Sequence, residues 1–342
     1  MSIRRLDRRT LLLTTLALAA CAGGPPPPKP WAETATRELN LSLGSFELQG
    51  RRVTVTRSAG AAGALPVVIY LPGIGQGSES GQRWAATWAQ AGYAVLAVQP
   101  LEEDAAAWRS SLARSGEFRE LGQLHYGDAM RADRLAALRR LVAALQTQPV
   151  AGVALDWQRA ALAGYEIGAQ ATLDLGGDGA GWLPRAVIAI SPPPMEAATA
   201  TPPALLITSD SDGDALGLVT RPAERRRAFD SLRPGAGWLL NLPGTSHAAL
   251  AGTLAPEGWH AQDQHRGREG MGGVQQRGGM GGGQGGQGHH GPAGGTPRGP
   301  RSGSATEAAQ ADLQEAMRLS VAFLDARLRG AAMPASALLT AR

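Results

Sequence analysis

Six short apolar runs constrain this chain more than any other feature. They lie at residues 67–71, 94–98, 160–163, 186–190, 204–208 and 238–242. A strand with one wet face alternates apolar and polar residues, so a run of four or five residues that are nearly all apolar predicts a strand covered on both faces. Between most of these runs the spacing turns helical, at 82–91 and 130–145, and a third helix opens at 168–175 directly after a strand. Residues 41–46 and 53–57 alternate instead, which predicts an opening pair of strands joined at Gly50-Arg51. Strand–helix alternation of this kind predicts an α/β domain, a doubly wound and mostly parallel sheet of about eight strands. A chain of 342 residues accommodates one such domain.

The domain is expected over 35–263, with an interruption after it. From 264 to 305 the sequence is dominated by Gly, Gln, Arg and Pro and has little to bury, so a disordered Gly-rich insertion is expected. Leu313, Met317, Leu319, Val321, Phe323, Leu324 and Leu328 then recur at helical spacing, which predicts a C-terminal core helix over 306–330 stopped by Gly330, with 331–342 as a tail. At the other end, Arg4, Arg5, Arg8 and Arg9, an apolar run at 11–18 and the small residues Ala19 and Ala20 have the layout of a secretory signal peptide over 1–20. That run is too short to span a bilayer as a mature helix. The prolines at 25–28 and at 30 predict a stiff linker over 21–34. The formal charge of +4 is concentrated in the first twenty residues and in 264–305, leaving a mildly acidic body. No nucleic-acid partner is expected from that distribution.

Leu18-Ala19-Ala20-Cys21 resembles the lipobox of bacterial lipoproteins. The resemblance implies cleavage before Cys21, acylation of its thiol, and a membrane partner through the lipidated Cys21. With Ala22 next, it implies retention at the outer membrane, on the periplasmic side. Arg8-Arg9 followed by Thr10-Leu11-Leu12 also resembles a twin-arginine signal, so the export route stays open between that and the general one. Cys21 is the only cysteine, and the fold therefore needs no disulfide.

Functional groups in a parallel sheet sit at the carboxyl ends of its strands. Four turns there carry chemistry. Leu71-Pro72-Gly73-Ile74-Gly75-Gln76 is a glycine-rich turn whose amides suit a developing negative charge. Gly164-Tyr165-Glu166-Ile167-Gly168 has the spacing of a nucleophile elbow, in which the elbow glycines Gly164 and Gly168 let a strand turn sharply into a helix and present the central side chain. Thr208-Ser209-Asp210-Ser211-Asp212-Gly213-Asp214 supplies an acid, with Asp210, Asp212 and Asp214 all open as the one used, and Pro243-Gly244-Thr245-Ser246-His247 supplies an imidazole. His260, His265, His289 and His290 fall in or near the insertion and are expected to face solvent or bind metal only incidentally.

From about residue 66 to 251, together with the C-terminal helix, the chain resembles the α/β-hydrolase superfamily, and within it the branch of dienelactone hydrolase and platelet-activating-factor acetylhydrolase-like enzymes. The elbow, acid and histidine come in that superfamily's order. Ser191-Pro192 resembles the Ser-Pro after its sixth strand. The resemblance implies that Asp212 orients His247, that His247 is a general base, and that the amides of Ile74 and Ile167 form an oxyanion hole. At the nucleophile's place, where the family has serine, stands Glu166. Two functions follow. One is an envelope enzyme acting on a small ester, lactone or related electrophilic substrate. The other is a catalytically degenerate hydrolase, with Glu166 filling its own oxyanion hole, that binds a small-molecule ligand or a partner not specified by the sequence. No cofactor is expected, and no spaced metal motif is present.

Overall fold

A computed structural model describes residues 40–150, 152–176, 181–196, 200–253 and 302–342. The expected signal, Cys21 anchor, linker and most of the insertion, together with His260, His265, His289 and His290, lie outside the described residues. Nine strands form one sheet: β1 (Leu41–Leu48), β2 (Arg51–Ser58), β3 (Ala64–Leu71), β4 (Ala94–Val98), β5 (Ala154–Tyr165), β6 (Ala186–Ile190), β7 (Ala204–Ser209), β8 (Gly237–Leu242) and β9 (Leu339–Ala341). Their order is β1-β2-β4-β3-β5-β6-β7-β8-β9. The block β4-β3-β5-β6-β7-β8 is parallel throughout, and β1, β2 and β9 run antiparallel to their neighbours at the two edges. The chain is therefore α/β, with a mostly parallel sheet.

The helices are α1 (Gln82–Gln90), α2 (Glu102–Ala106), α3 (Ser111–Ser115), α4 (Phe118–Tyr126), α5 (Asp128–Thr147), α6 (Ile167–Leu175), α7 (Arg227–Ser231), α8 (His247–Leu250) and α9 (Ser302–Leu328). Alternate residues of each strand feed opposite faces. Val68 and Tyr70 of β3 pack with Trp84 and Trp88 of α1 and Phe323 and Leu324 of α9. Val67, Ile69 and Leu71 of the same strand pack with Leu138, Leu141 and Leu145 of α5 on the other side. The near-continuous burial of β3, β4, β6 and β7 follows from this two-sided cover, as their apolar runs predict. Among the described residues no helix is long and apolar enough to cross a membrane.

Three expectations need correction. The opening hairpin turns at Gln49-Gly50, whose φ values of 50° and 72° match a two-residue turn with both central residues left-handed, not at Gly50-Arg51. Strand β5 is twelve residues long, far beyond 160–163, because its polar first half around Asp156 and Arg159 pairs with the start of β3 without being buried. The tail is partly a strand: β9 pairs with β8, making nine strands rather than about eight. Three residues held mainly by backbone pairing leave no side-chain pattern to read. Between β4 and α5, the short helices α2, α3 and α4 fill a stretch that carries no clear period.

The elbow glycines are required by backbone crowding. A Cβ on Gly164 would meet the backbone of Gly168, and a Cβ on Gly168 would meet the carbonyls of Leu71 and Pro72 at the end of β3. Helix α6 thus starts hard against both strands. Backbone cannot swing aside as a flexible side chain can, so Gly168→Ala is expected to cost at least about 3 kcal/mol, the upper end for overpacking, measured as a lower urea midpoint.

Candidate active site

The elbow places Glu166 between the last residue of β5 and the first of α6, with φ 51° and ψ −116°. This is the left-handed side of backbone space, which a non-glycine residue occupies only when its surroundings enforce it. The enforcement is visible: the Glu166 amide donates to the Ile190 carbonyl at 3.1 Å, and the Glu166 carbonyl accepts the Gln170 amide of α6 at 3.0 Å. Opposite lies the glycine turn after β3. A Cβ on Gly73 would overlap Glu166 Oε2 and the Tyr165 ring, so the carboxylate rests where only glycine leaves room.

Both carboxylate oxygens of Glu166 are engaged. Oε1 lies 2.5 Å from His247 Nε2, and Oε2 accepts the Ile74 amide at 3.0 Å. The side chain is 9% exposed. On the far side of the imidazole, His247 Nδ1 is 2.7 Å from Asp212 Oδ1. The sequence-predicted Glu166, Asp212, His247 and Ile74 therefore come together. Ile167, at the first position of α6, stands beside them, but among the described residues its amide makes no hydrogen bond to Glu166, so the expected two-amide hole is contacted through one. The choice among the three acids resolves to Asp212. Asp210 instead pairs with Arg226 at 2.6 Å and Asn241 at 3.0 Å, and Asp214 accepts the amides of Leu218 and Val219.

Asp212 is wholly buried and correspondingly well supplied with donors. Thr208 Oγ1 donates to Oδ2 at 2.8 Å, and Ser191 Oγ donates to Oδ1 at 2.8 Å. The guanidinium of Arg225, 1% exposed, lies 3.2 Å from Oδ1. It also donates to the carbonyls of Asp212, Ser191 and Pro192 at 2.9, 2.9 and 3.0 Å. Ser191 Oγ is 2.9 Å from His247 Nδ1, behind the ring from Glu166, so this serine is a buried brace rather than a displaced nucleophile. The Tyr165 hydroxyl donates to the His247 carbonyl at 2.9 Å, and its ring lies 5.2 Å from the imidazole. Sequence reasoning missed Arg225, Thr208 and the role of Tyr165. Tyr165 sits inside the elbow motif, but Arg225 is one arginine of an Arg225-Arg226-Arg227 run that looks like a solvated helix face.

Burial alone would lower the pKa of His247, but hydrogen bonds to Asp212 and Glu166, with the Glu166 charge, outweigh it and raise the value to about 9. Burial likewise pushes the Asp212 carboxyl up, yet the His247 bond, the Arg225 charge and the Ser191 bond hold it below its ordinary value. At neutral pH the imidazole is thus an imidazolium clamped between two carboxylates. Because its folded pKa lies above the unfolded value of 6.5, the associated stability is fully present below about pH 6.5 and is lost as pH rises through about 9. A shift of this size corresponds to roughly 3 kcal/mol. NMR titration of His247 is expected to place its midpoint near 9 and to show it falling in Glu166→Gln, which keeps the shape but removes one carboxylate. An unchanged midpoint would mean that Glu166 does not hold the proton there.

Among the described residues, no group of three or more His, Cys, Asp and Glu side chains is placed to hold a metal ion. In comparisons with known proteins, no family model matches the chain and no curated protein is similar enough to count as a relative.

Proposed function

We propose that this chain is an α/β-hydrolase-like lipoprotein of the bacterial envelope whose hydrolytic machinery is retained but locked by Glu166, so that it serves as a ligand-binding protein rather than an esterase. The observation that carries this reading is the double engagement of Glu166. Its two oxygens take the Ile74 amide and the His247 ring nitrogen, the two donors that a serine hydrolase aims at its substrate. An imidazolium with a pKa of about 9 also cannot accept a proton at pH 7, and both serine catalysis and activation of water need that acceptance.

The finer fold assignment is supported by the strand order, with a parallel block flanked by antiparallel β2 and β1, and by an elbow, acid and histidine at the ends of β5, β7 and β8. A small-molecule ligand is favoured as partner. Ile74 and Ile167, next to the carboxylate, belong to a buried apolar cluster with Leu121, Leu216 and Leu218, and apolar surroundings of this kind favour an uncharged organic group. The envelope location and the membrane anchor rest on the layout around Cys21.

Hydrolysis of a small ester or lactone by the natural protein is the competing function. Attack by Glu166 on an ester carbonyl would form a mixed anhydride, and attack on an alkyl carbon would form an alkyl ester. Either intermediate would need His247 as a neutral base to activate the hydrolysing water. The test is turnover of activated short-chain esters and lactones at pH 7 by the natural protein. No turnover above buffer is expected, and turnover abolished by Glu166→Gln would establish a catalytic carboxylate and sink the locked reading.

A further inference from the structure

The Ile74 amide reaches Glu166 only if its peptide plane is turned the right way, and the side chain that grips this plane most closely comes from the end of a different strand. The Gly73 carbonyl and the Ile74 N–H belong to one peptide unit. In a planar trans peptide they point in opposite directions, so whatever holds the carbonyl aims the amide. Gln99, directly after β4 and buried, donates from Nε2 to the Gly73 carbonyl at 3.0 Å and to the Gln76 carbonyl at 3.1 Å. Both partners are acceptors, so the side chain must present its nitrogen to the turn, and both of its protons are used.

The Gln76 amide donates to the same Gly73 carbonyl at 3.3 Å, a longer bond made within the turn itself. Further contacts hold the neighbouring peptide units. Gln76 Oε1 accepts the Gly73 amide at 3.2 Å, and the Asp104 carbonyl accepts the Gly75 amide at 2.7 Å. Asp104 is itself fixed in a buried cluster, with its carboxylate 2.8 Å from His125 Nδ1 and 2.6 Å from Arg134 Nε. With Gly75 so committed, Ile74 supplies the amide of this turn that faces the carboxylate. Gln99 acts on the one peptide unit to which that amide belongs.

We infer that Gln99 is a positioning residue for the anion-binding amide: by gripping the Gly73 carbonyl from the end of β4, it points the Ile74 N–H at the carboxylate of Glu166. The inference rests on the locked-carboxylate reading of the site, but it is tested on the amide itself and not on activity. A failure of the function and a failure of the positioning role therefore appear in different measurements.

The experiment records the Ile74 amide by NMR in the full-length chain and in Gln99→Met, which keeps the volume and removes the donors. A stability control is Val142→Ala, in a buried position on α5 that makes no hydrogen bond to the turn. In Gln99→Met the Ile74 amide proton is expected to move upfield and its hydrogen exchange to quicken at least roughly tenfold, as a charge-assisted bond is lost. Val142→Ala should move neither. An Ile74 signal unchanged in folded Gln99→Met, or moved equally by Val142→Ala, overturns the inference. If Gln99→Met does not fold, the scalar coupling across the hydrogen bond from Gln99 Nε2 to the Gly73 carbonyl carbon in the natural protein decides the matter. Its presence is expected, and its absence overturns the inference.

Discussion

Replacing Glu166 by serine is expected to create an esterase from a protein whose own turnover is expected not to rise above buffer. Serine removes the carboxylate from between the Ile74 amide and His247, and water or a substrate carbonyl enters the space. His247 then keeps one carboxylate partner, Asp212, and its pKa falls from about 9 toward the range in which an imidazole accepts a proton at pH 7. The amide of Ile74 remains aimed at the same place, now as a donor to a tetrahedral oxyanion. Hydrolysis of p-nitrophenyl acetate by Glu166→Ser should exceed that of the natural protein by on the order of 100-fold or more, because a nucleophile, a base and an oxyanion donor become available together. Glu166→Gln should stay inactive, since it frees the proton balance without supplying a nucleophile. If Glu166→Ser folds, shows a lowered His247 pKa and still hydrolyses nothing, the retained-machinery reading is wrong. The constellation would then be a structural clamp.

The parallel core was legible because strands buried on both faces must be apolar throughout, and the runs at 94–98 and 186–190 coincide with β4 and β6 end to end. The elbow was legible for a related reason. Gly164 and Gly168 are dictated by backbone contact, so the spacing of the glycines records the turn whatever residue sits between them. Asp212 and His247 followed from their places at the ends of β7 and β8, although nothing in a string of Asp210, Asp212 and Asp214 separates them. That separation is made in three dimensions by Thr208, Ser191 and Arg225. Arg225 could not be singled out from its two arginine neighbours, because one turn of 3₁₀ helix at Pro222–Arg226 decides which points inward. Gln99 was invisible for the opposite reason. Its chemistry is directed at backbone carbonyls, and carbonyl groups leave no mark in a sequence. The edges failed where pairing rather than burial holds the strand, in β9 and in the first half of β5.

Arg225 is also where the largest loss of stability is expected. Its guanidinium serves the Asp212 carboxylate and three backbone carbonyls from a position with almost no access to water. Removing it leaves a buried carboxylate short of a partner and three acceptors unpaired, and breaking a buried pair from one side costs about 3–5 kcal/mol. Arg225→Met, which keeps much of the volume, is therefore expected to lower the unfolding free energy by about that amount at pH 7, read from urea titration. Arg225→Lys should fall between the two, since it restores a charge but not a fork able to span four acceptors. The pH dependence separates the charge from the packing. Asp212 has a depressed folded pKa, so its stabilising contribution is present above the ordinary value of 3.8 and is lost as pH falls through the folded value. Without Arg225 that contribution shrinks, and the gap between variant and natural protein should be widest near neutrality and narrow below about pH 3.8. A gap that stays constant from pH 7 to pH 3 would assign the loss to the three carbonyls, and a loss under about 1 kcal/mol would mean that Ser191, Thr208 and His247 suffice to hold Asp212 alone.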